Sequence, residues 1–390
     1  MPAVASVFTG RTPNRHGAGS FRAPVADLGR SIPNWLRHDV ETLPEILARR
    51  GFSKHAIVSQ ASWFRNRFGL DRGFDTLSMP ATDAGVVEAA RDWLTGHREN
   101  PQAPFFLYLH LMEAHRHFDW TRVGNRERAE KLTPAQRRAG IAVAPEYWCP
   151  RPLAARCQTF LAYVQAVAAQ REQVAQVLST LEALGLLGET AVILYSDHGE
   201  EFRDHIGEER AQGGHPQDHY GYGHGHAMYQ ELLHVPLLVW HPTHLGARVS
   251  MPVSLADILP SVLDWLQLDY DRQSYEGASW AAALTEGTSR EGRARFASAI
   301  SLGPEQVSVV RDGWKRVLHL SNGKRRLYNL NLDPGEKQPL QGGAVEAELD
   351  RLIDGYIAAT RGGDQGAPIL SAEDIRALQS LGYLEEVETP

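Results

Sequence analysis

Residues 191–202 read AVILYSDHGEEF. The first five are almost continuously apolar, the pattern of a strand covered on both faces in an α/β sheet. Asp197 and His198 follow at its carboxyl end. Ligands of open α/β sheets collect in the crevice outside that end. Asp supplies a hard oxygen and His a borderline nitrogen, so the adjacent pair can grip one divalent cation from two directions. Gly199 lets the backbone turn away. The same two residues also suit a plainer arrangement, a strand-end Asp capping the next turn with a hydrogen-bonded His beside it.

Working outward, the segments on either side repeat one rhythm. Val174, Val177, Leu178, Leu181 and Leu184 recur at helical spacing until Gly185 ends the pattern. PFFLYLH, residues 104–110, has the hydrophobicity of another buried strand. Thr42-x-x-Glu45 predicts a capping box opening the helix LPEILARR, closed by Gly51 and followed by the buried strand HAIVS. Helix, turn and apolar strand in alternation specify an α/β fold. After about residue 280 the texture changes. QVSVVRD, GWKRVLHL and RRLYNL are short, half-polar and separated by Asp312-Gly313 and Asn322-Gly323, as in an antiparallel meander. The expected organisation is a larger α/β domain over 1–280 and a smaller α+β subdomain over 281–390, with EGTSREGRAR as linker.

His205, His215, His219, His224 and His226 cluster downstream of the Asp-His pair. His224 stands out because it lies in GYGHGH, where glycines permit close approach to a ligand. His115 follows the 104–110 strand in the same sense as Asp197 and is a further candidate, although His110 and His117 compete with it on local grounds. At the start of the chain, Pro2 suits the first turn of a helix and Gly10 its C-terminal cap. A helix N-terminus there is ready to face an anion.

Composition narrows the partners. The 390 residues are 43% hydrophobic, enough for a large core, and carry a net charge of −7 with both signs interspersed. That balance argues against nucleic acid, and no apolar run has the length of a membrane span. The opening residues lack the basic and apolar regions of a secretory signal. Cys149 and Cys157 are expected as free thiols.

TGRTPNRHG, PFFLYLHLMEAH, YSDHGEEF and GHGHAMYQELLHVPLL together resemble the sulfatase family of the alkaline phosphatase superfamily. FGLDRGFDTL, VSLADILPSVLDWL, LYNLNLDPGE and SAEDIRALQSLGYL extend the resemblance in the same order over nearly the whole chain. It implies an alkaline-phosphatase-like sheet sandwiched by helices, and hydrolysis of sulfate esters on small molecules or glycans. It implies one divalent metal ion, Ca or Mg and alternatively Mn or Zn, held in part by Asp197 and His198. His224 and His115 match family residues that hold the substrate anion or protonate the leaving oxygen. The family nucleophile stands two residues before the Pro that matches Pro2, one residue upstream of Met1, with the first strand and its two acidic ligands further upstream. On this alignment the chain is expected to be truncated and nearly inactive by itself.

Val4 occupies the position of the signature arginine, which implies an unmodified Thr, Ser or Cys nucleophile. With His198 at the metal, it also raises a phosphate or phosphonate ester hydrolase, or a phosphoryl-group transferase, as an alternative. A non-catalytic binding protein that kept the fold is the third expectation. The family is often exported or periplasmic.

Overall fold

The computed structural model describes residues 1–19, 22–25, 30–33, 36–59, 64, 68–99, 103–115, 129–143, 155–212, 221–243, 246, 248–286, 292–298 and 305–359. His117, His215, His219, Cys149 and the SAEDIRALQSLGYL segment lie outside them. The chain folds as two compact units. One contains Met1–Ile46, Ser62–Arg72 and Val192–Pro390, the other Leu47–Ala61 and Gly73–Ala191.

The chain opens with α1 (Pro2–Thr9), which carries Pro at its start and ends at Gly10 in the left-handed conformation, as expected. A short turn leads to α2 (Pro13–His16), then to the antiparallel pair β1 (Arg22–Val25) and β2 (Arg30–Pro33). α3 (Leu43–Ala48) begins with the anticipated capping box: Thr42 N–H donates to Glu45 Oε2 at 2.9 Å, and Glu45 N–H to Thr42 Oγ1 at 3.4 Å.

The second unit is built on three parallel strands, β3 (Ser53–Val58), β4 (Thr76–Ser78) and, after α4 (Asp83–Glu99), β5 (Phe105–His110). β3 lies in the middle of the order β4-β3-β5, and its buried Ala56, Ile57 and Val58 match the expectation for HAIVS. β5 is the sheet edge, so its residues are mostly half-buried rather than covered on both faces. α5 (Pro134–Val143) and the 29-residue α6 (Ala155–Ala183) complete this unit; α6 contains Val174, Val177, Leu178 and Leu181 of the predicted stripe, and Leu184 follows its end. Cys157 in α6 is disulfide-bonded, which corrects the expectation of free thiols.

Back in the first unit, β6 (Val192–Tyr195) carries the Asp-His pair at its end, and β7 (Glu201–Phe202), α7 (Ile206–Gln212), β8 (Tyr222–Gly223), α8 (Gln230–Leu233) and β9 (Leu237–Trp240) follow. β6 pairs antiparallel with β9. The sequence expectation of a fully covered strand fails here: Leu194 is 40% exposed, opposite Leu238 at 57%, with Trp240 at 51%. No described element covers that face of the two-stranded ribbon. α9 (Ile258–Trp265) packs on α1, and α10 (Ala283–Glu286) ends the segment.

The meander is as anticipated. β10 (Arg295–Ala297), β11 (Gln306–Arg311), β12 (Trp314–His319) and β13 (Arg325–Asn329) run antiparallel in sequential order. Asp312 and Gly313 both take positive φ at the β11–β12 turn, the geometry that matches strand twist. α11 (Ala344–Ala358) lays Leu349, Ile353 and Tyr356 onto Val307, Val309, Leu318 and Leu327. Ile353 is fully buried in that cluster. Ile353→Ala should therefore cost about 2–5 kcal/mol in a denaturant melt; a loss below ~1 kcal/mol would show that α11 is not part of the cooperative core.

Candidate active site

The turn after β6 is held by its own backbone. Gly199 N–H donates to the Leu232 carbonyl at 2.9 Å and Glu200 N–H to the Glu231 carbonyl at 3.1 Å. A Cβ on Gly199 would lie 1.9 Å from the Glu231 carbonyl oxygen, so only glycine permits this approach. The turn thereby presents Asp197 and His198 on one side and Glu200 and Glu201 toward the GYGHGH loop.

His198 Nδ1 lies 2.9 Å from the Gly199 carbonyl oxygen, which can only accept. The Nδ1–H donates, leaving the lone pair on Nε2. That Nε2 is 3.7 Å from Asp197 Oδ2, and both side chains are partly exposed. An imidazole lone pair beside a carboxylate oxygen is a donor set that suits a divalent cation. The residues present fit the expected group.

His224 joins the pair. Its ring stacks on that of His198 with centroids 3.8 Å apart, and its Nδ1 is 3.0 Å from Glu200 Oε2. Gly223 and Gly225, both at positive φ, let the loop bring the ring in from each side. Burial pushes His224 well below its ordinary pKa; neighbouring His198 adds to this and Asp197 opposes it. Met1, Pro2 and Ala3 at the start of α1 line the same cavity of about 810 Å³ as Asp197, His198 and His224. The first-turn amides of α1 carry no side-chain cap, so the positive end of a helix faces this cavity.

The other described histidines of the cluster are structural. His226 Nε2 lies 2.8 Å from Glu201 Oε2 and 3.1 Å from Glu209 Oε1, all three buried. Burial works against its charge, but the two carboxylates outweigh it and raise the pKa to about 10. His205 sits between Glu231 Oε1 at 2.6 Å and the Gly335 carbonyl at 3.0 Å, stacked on Tyr229. Ligand atoms of Glu201, Glu209 and His226, and of Glu201, His205 and Glu231, lie within 4.8 Å of one another. Both groups could hold an ion, yet both are already knit by hydrogen bonds. Sequence reasoning missed Glu200, Glu201 and Glu209 as partners of the histidines; the acidic EE after the Asp-His-Gly run was the signal for the first two, and Glu209 had none nearby. His115 belongs to the second unit, on the turn after β5, where its N–H donates to the Met112 carbonyl at 3.1 Å.

With this geometry in hand, relatives can be compared. A family model described as Sulfatase matches residues 1–268. The chain belongs to the sulfatase family. Arylsulfatase K of Xenopus laevis is 27% identical over 315 residues, 70% of this chain and 55% of that protein. The chain thus spans about half the length of this relative. BT4656, solved with D-glucosamine-2-N,6-O-disulfate, superposes with a TM-score of 0.61 at 16% identity, covering 93% of this chain and 88% of that one. A phosphonate monoester hydrolase from Silicibacter pomeroyi gives 0.59 at 16% identity, covering 95% and 88%. The architecture is that of the sulfatases: an alkaline-phosphatase-like α/β fold with a C-terminal antiparallel subdomain. Among the described residues no helix is long and apolar enough to cross a membrane.

His16, below α1, reports on the integrity of this region. Its Nδ1 accepts from Ala18 N–H at 3.1 Å, its Nε2 is 3.0 Å from Ser6 Oγ, and it is completely buried. Burial lowers its pKa to about 3. Between pH 6.5 and about 3 the unfolded chain binds a proton that the folded chain refuses, so stability falls as pH falls through this window. The expected slope from this group is about 1.4 kcal/mol per pH unit. In His16→Gln that part of the acid dependence should vanish from chemical melts taken across the window; an unchanged slope would remove His16 as its source.

Proposed function

We propose that the chain forms the metal- and anion-binding part of a metal-dependent sulfate ester hydrolase. The observation that carries this reading is the convergence of Asp197, His198 and His224 with the N-terminal end of α1 on one cavity. Asp197 Oδ2 and His198 Nε2 would hold a divalent cation, Ca or Mg and alternatively Mn or Zn. When bound, the cation polarises a nonbridging oxygen of the ester and favours the ionised nucleophile. The amides at the start of α1 receive the anionic end of the substrate. Glu200 orients His224 through its Nδ1–H; burial keeps the free ring neutral, and an arriving anion favours the second proton with which the other ring nitrogen clamps it or serves the leaving oxygen. The residues named here bind and orient the ester, and none of them is assigned as the nucleophile. The catalytic assignment covers 1–280, with 281–390 as the C-terminal subdomain. The substrate is a small-molecule or glycan ester.

A phosphate or phosphonate ester hydrolase is the second reading, favoured by Val4 in place of the signature arginine and by His198. Assaying the intact protein with p-nitrophenyl sulfate and p-nitrophenyl phenylphosphonate separates the two. Cleavage of neither ester by metal-loaded intact protein would leave only a binding role.

Asp197→Asn tests the metal assignment without turnover. It should weaken Ca or Mg binding, followed by calorimetry, at least ~10-fold, since even outer-shell changes at metal sites cost that much. Unchanged affinity would move the metal elsewhere, with the Glu201, Glu209 and His226 group the next candidate.

A further inference from the structure

A second cavity, of about 380 Å³, opens between the start of α2, β10 and α11. Arg15, Arg293, Arg295 and Arg351 line it, and Glu276 is the one acidic residue among its described lining. Two of these cations are neutralised. Arg15 Nε is 3.4 Å from Glu276 Oε1, and Arg293 pairs with the buried Asp257. Arg295 and Arg351 have no carboxylate in ion-pair contact among the described residues. Their printed bonds run only to the backbone carbonyls of Arg293, at 3.5 Å, and Ala347, at 3.3 Å. Burial and the neighbouring Arg293 work against the charge on Arg295, and the more distant Asp257 and Asp312 offset this only in part. A partly buried guanidinium beside a second one is costly unless an anion joins them.

The placement of this cleft connects it with the large cavity. Thr12, Ser254, Ala256, Arg295 and Phe296 line both. Arg295 therefore stands where the cavity of Asp197, His198 and His224 continues into the arginine cleft. Phe296, stacked on Tyr356 with centroids 4.6 Å apart, supplies an apolar wall of the kind on which a sugar ring can rest. A lone phosphate or sulfate would need only the first cavity. Two adjoining cavities, the second holding two guanidinium groups with no carboxylate in ion-pair contact among the described residues, suit a ligand that bears several anionic groups along its length.

We propose that the arginine cleft is a subsite for a second anionic group, a carboxylate or a sulfate, on a neighbouring sugar of a polyanionic glycan substrate. This deepens the hydrolase reading and rests on it for the placement of the reacting ester. The bidentate fork of Arg295 meets the anion at the junction, and Arg351 meets it from α11. The chain as a whole is acidic, so the local positive charge also selects where on the protein such a chain can settle.

Calorimetry on the metal-loaded full chain tests this with three probes: glucosamine 6-sulfate, a tetrasaccharide carrying one terminal sulfate and otherwise carboxylates, and its counterpart carrying sulfates throughout. The tetrasaccharides should bind more tightly than the monosaccharide, and the preferred one identifies the second anion. Arg295→Gln should erase at least ~10-fold of that advantage, the scale of a lost charge-assisted hydrogen bond. Arg351→Ala, on an exposed helix position, should reduce the advantage in the same direction and guards against a folding defect at β10. Equal affinity for all three probes, or an advantage that survives in both variants, overturns the subsite. Tetrasaccharide binding that both variants weaken, without any monosaccharide binding, would support the cleft while sinking the hydrolase reading.

Discussion

The contact of Gly199 with the Glu231 carbonyl is the constraint from which the site follows. Two successive N–H groups of the turn are spent on two successive carbonyls of α8, so the turn cannot rotate. Side chains on its two sides are thereby committed to different tasks. Asp197 and His198 face an open cavity, whereas Glu200 and Glu201 reach back to His224 and His226. A larger residue at 199 would have to push the turn off α8 and separate all four at once. The backbone therefore does what hydrogen bonds between flexible side chains could not do alone: it fixes the spacing between groups that line one cavity.

The histidines of this region show how partners decide the part each plays. His205 and His226 are buried with carboxylates on their ring nitrogens, and the attraction overcomes the cost of desolvation. These rings act as cross-links: His205 joins Glu231 to the Gly335 carbonyl, and His226 Nε2 joins Glu201 to Glu209. His198 instead spends one nitrogen on its own backbone and keeps the other toward Asp197 in a partly exposed cavity. His224 lies between these extremes, with one nitrogen tied to Glu200 and the ring against His198. Composition alone treats these residues alike, and only burial and bonding distinguish them.

That distinction explains which features were legible in the sequence. Asp197, His198 and His224 were readable because each sits beside a local signal, the end of an apolar strand or a glycine-flanked loop, and the structure brings the three together. The capping box at Thr42, the Gly10 cap and the meander turns were readable for the same reason, since their determinants lie within a few residues. Glu209 and Glu231 were not, because their pairing with His226 and His205 depends on folding the chain back over 17 and 26 residues. The coverage of β6 was misjudged for a related reason. Apolar composition states what a strand can tolerate on its faces, but whether another element lies over Leu194 and Leu238 is decided by the rest of the fold.

The antiparallel subdomain is tied to the loop that follows His224 by a pair of fully buried charges. Lys315 on β12 pairs with Glu336 at 2.7 Å with both side chains fully buried, and its ammonium also donates to the Met228 carbonyl. Glu336 in turn accepts from Gln230 N–H at 2.6 Å, and Gln306 on β11 donates to the His226 carbonyl at 3.4 Å. Two charges withdrawn from water are tolerable only where every remaining lone pair and proton finds a partner, and here those partners are backbone groups of the loop that follows His224. Met228 closes the contact by packing against Val317 and Tyr328. Shifting that loop would strand an ammonium and a carboxylate in a dry interior, so the position of His224 inherits the rigidity of the sheet beneath it. The meander is thus a structural part of the cavity that Asp197, His198 and His224 line, and the arginine that β10 places at the cavity's edge is held by the same framework.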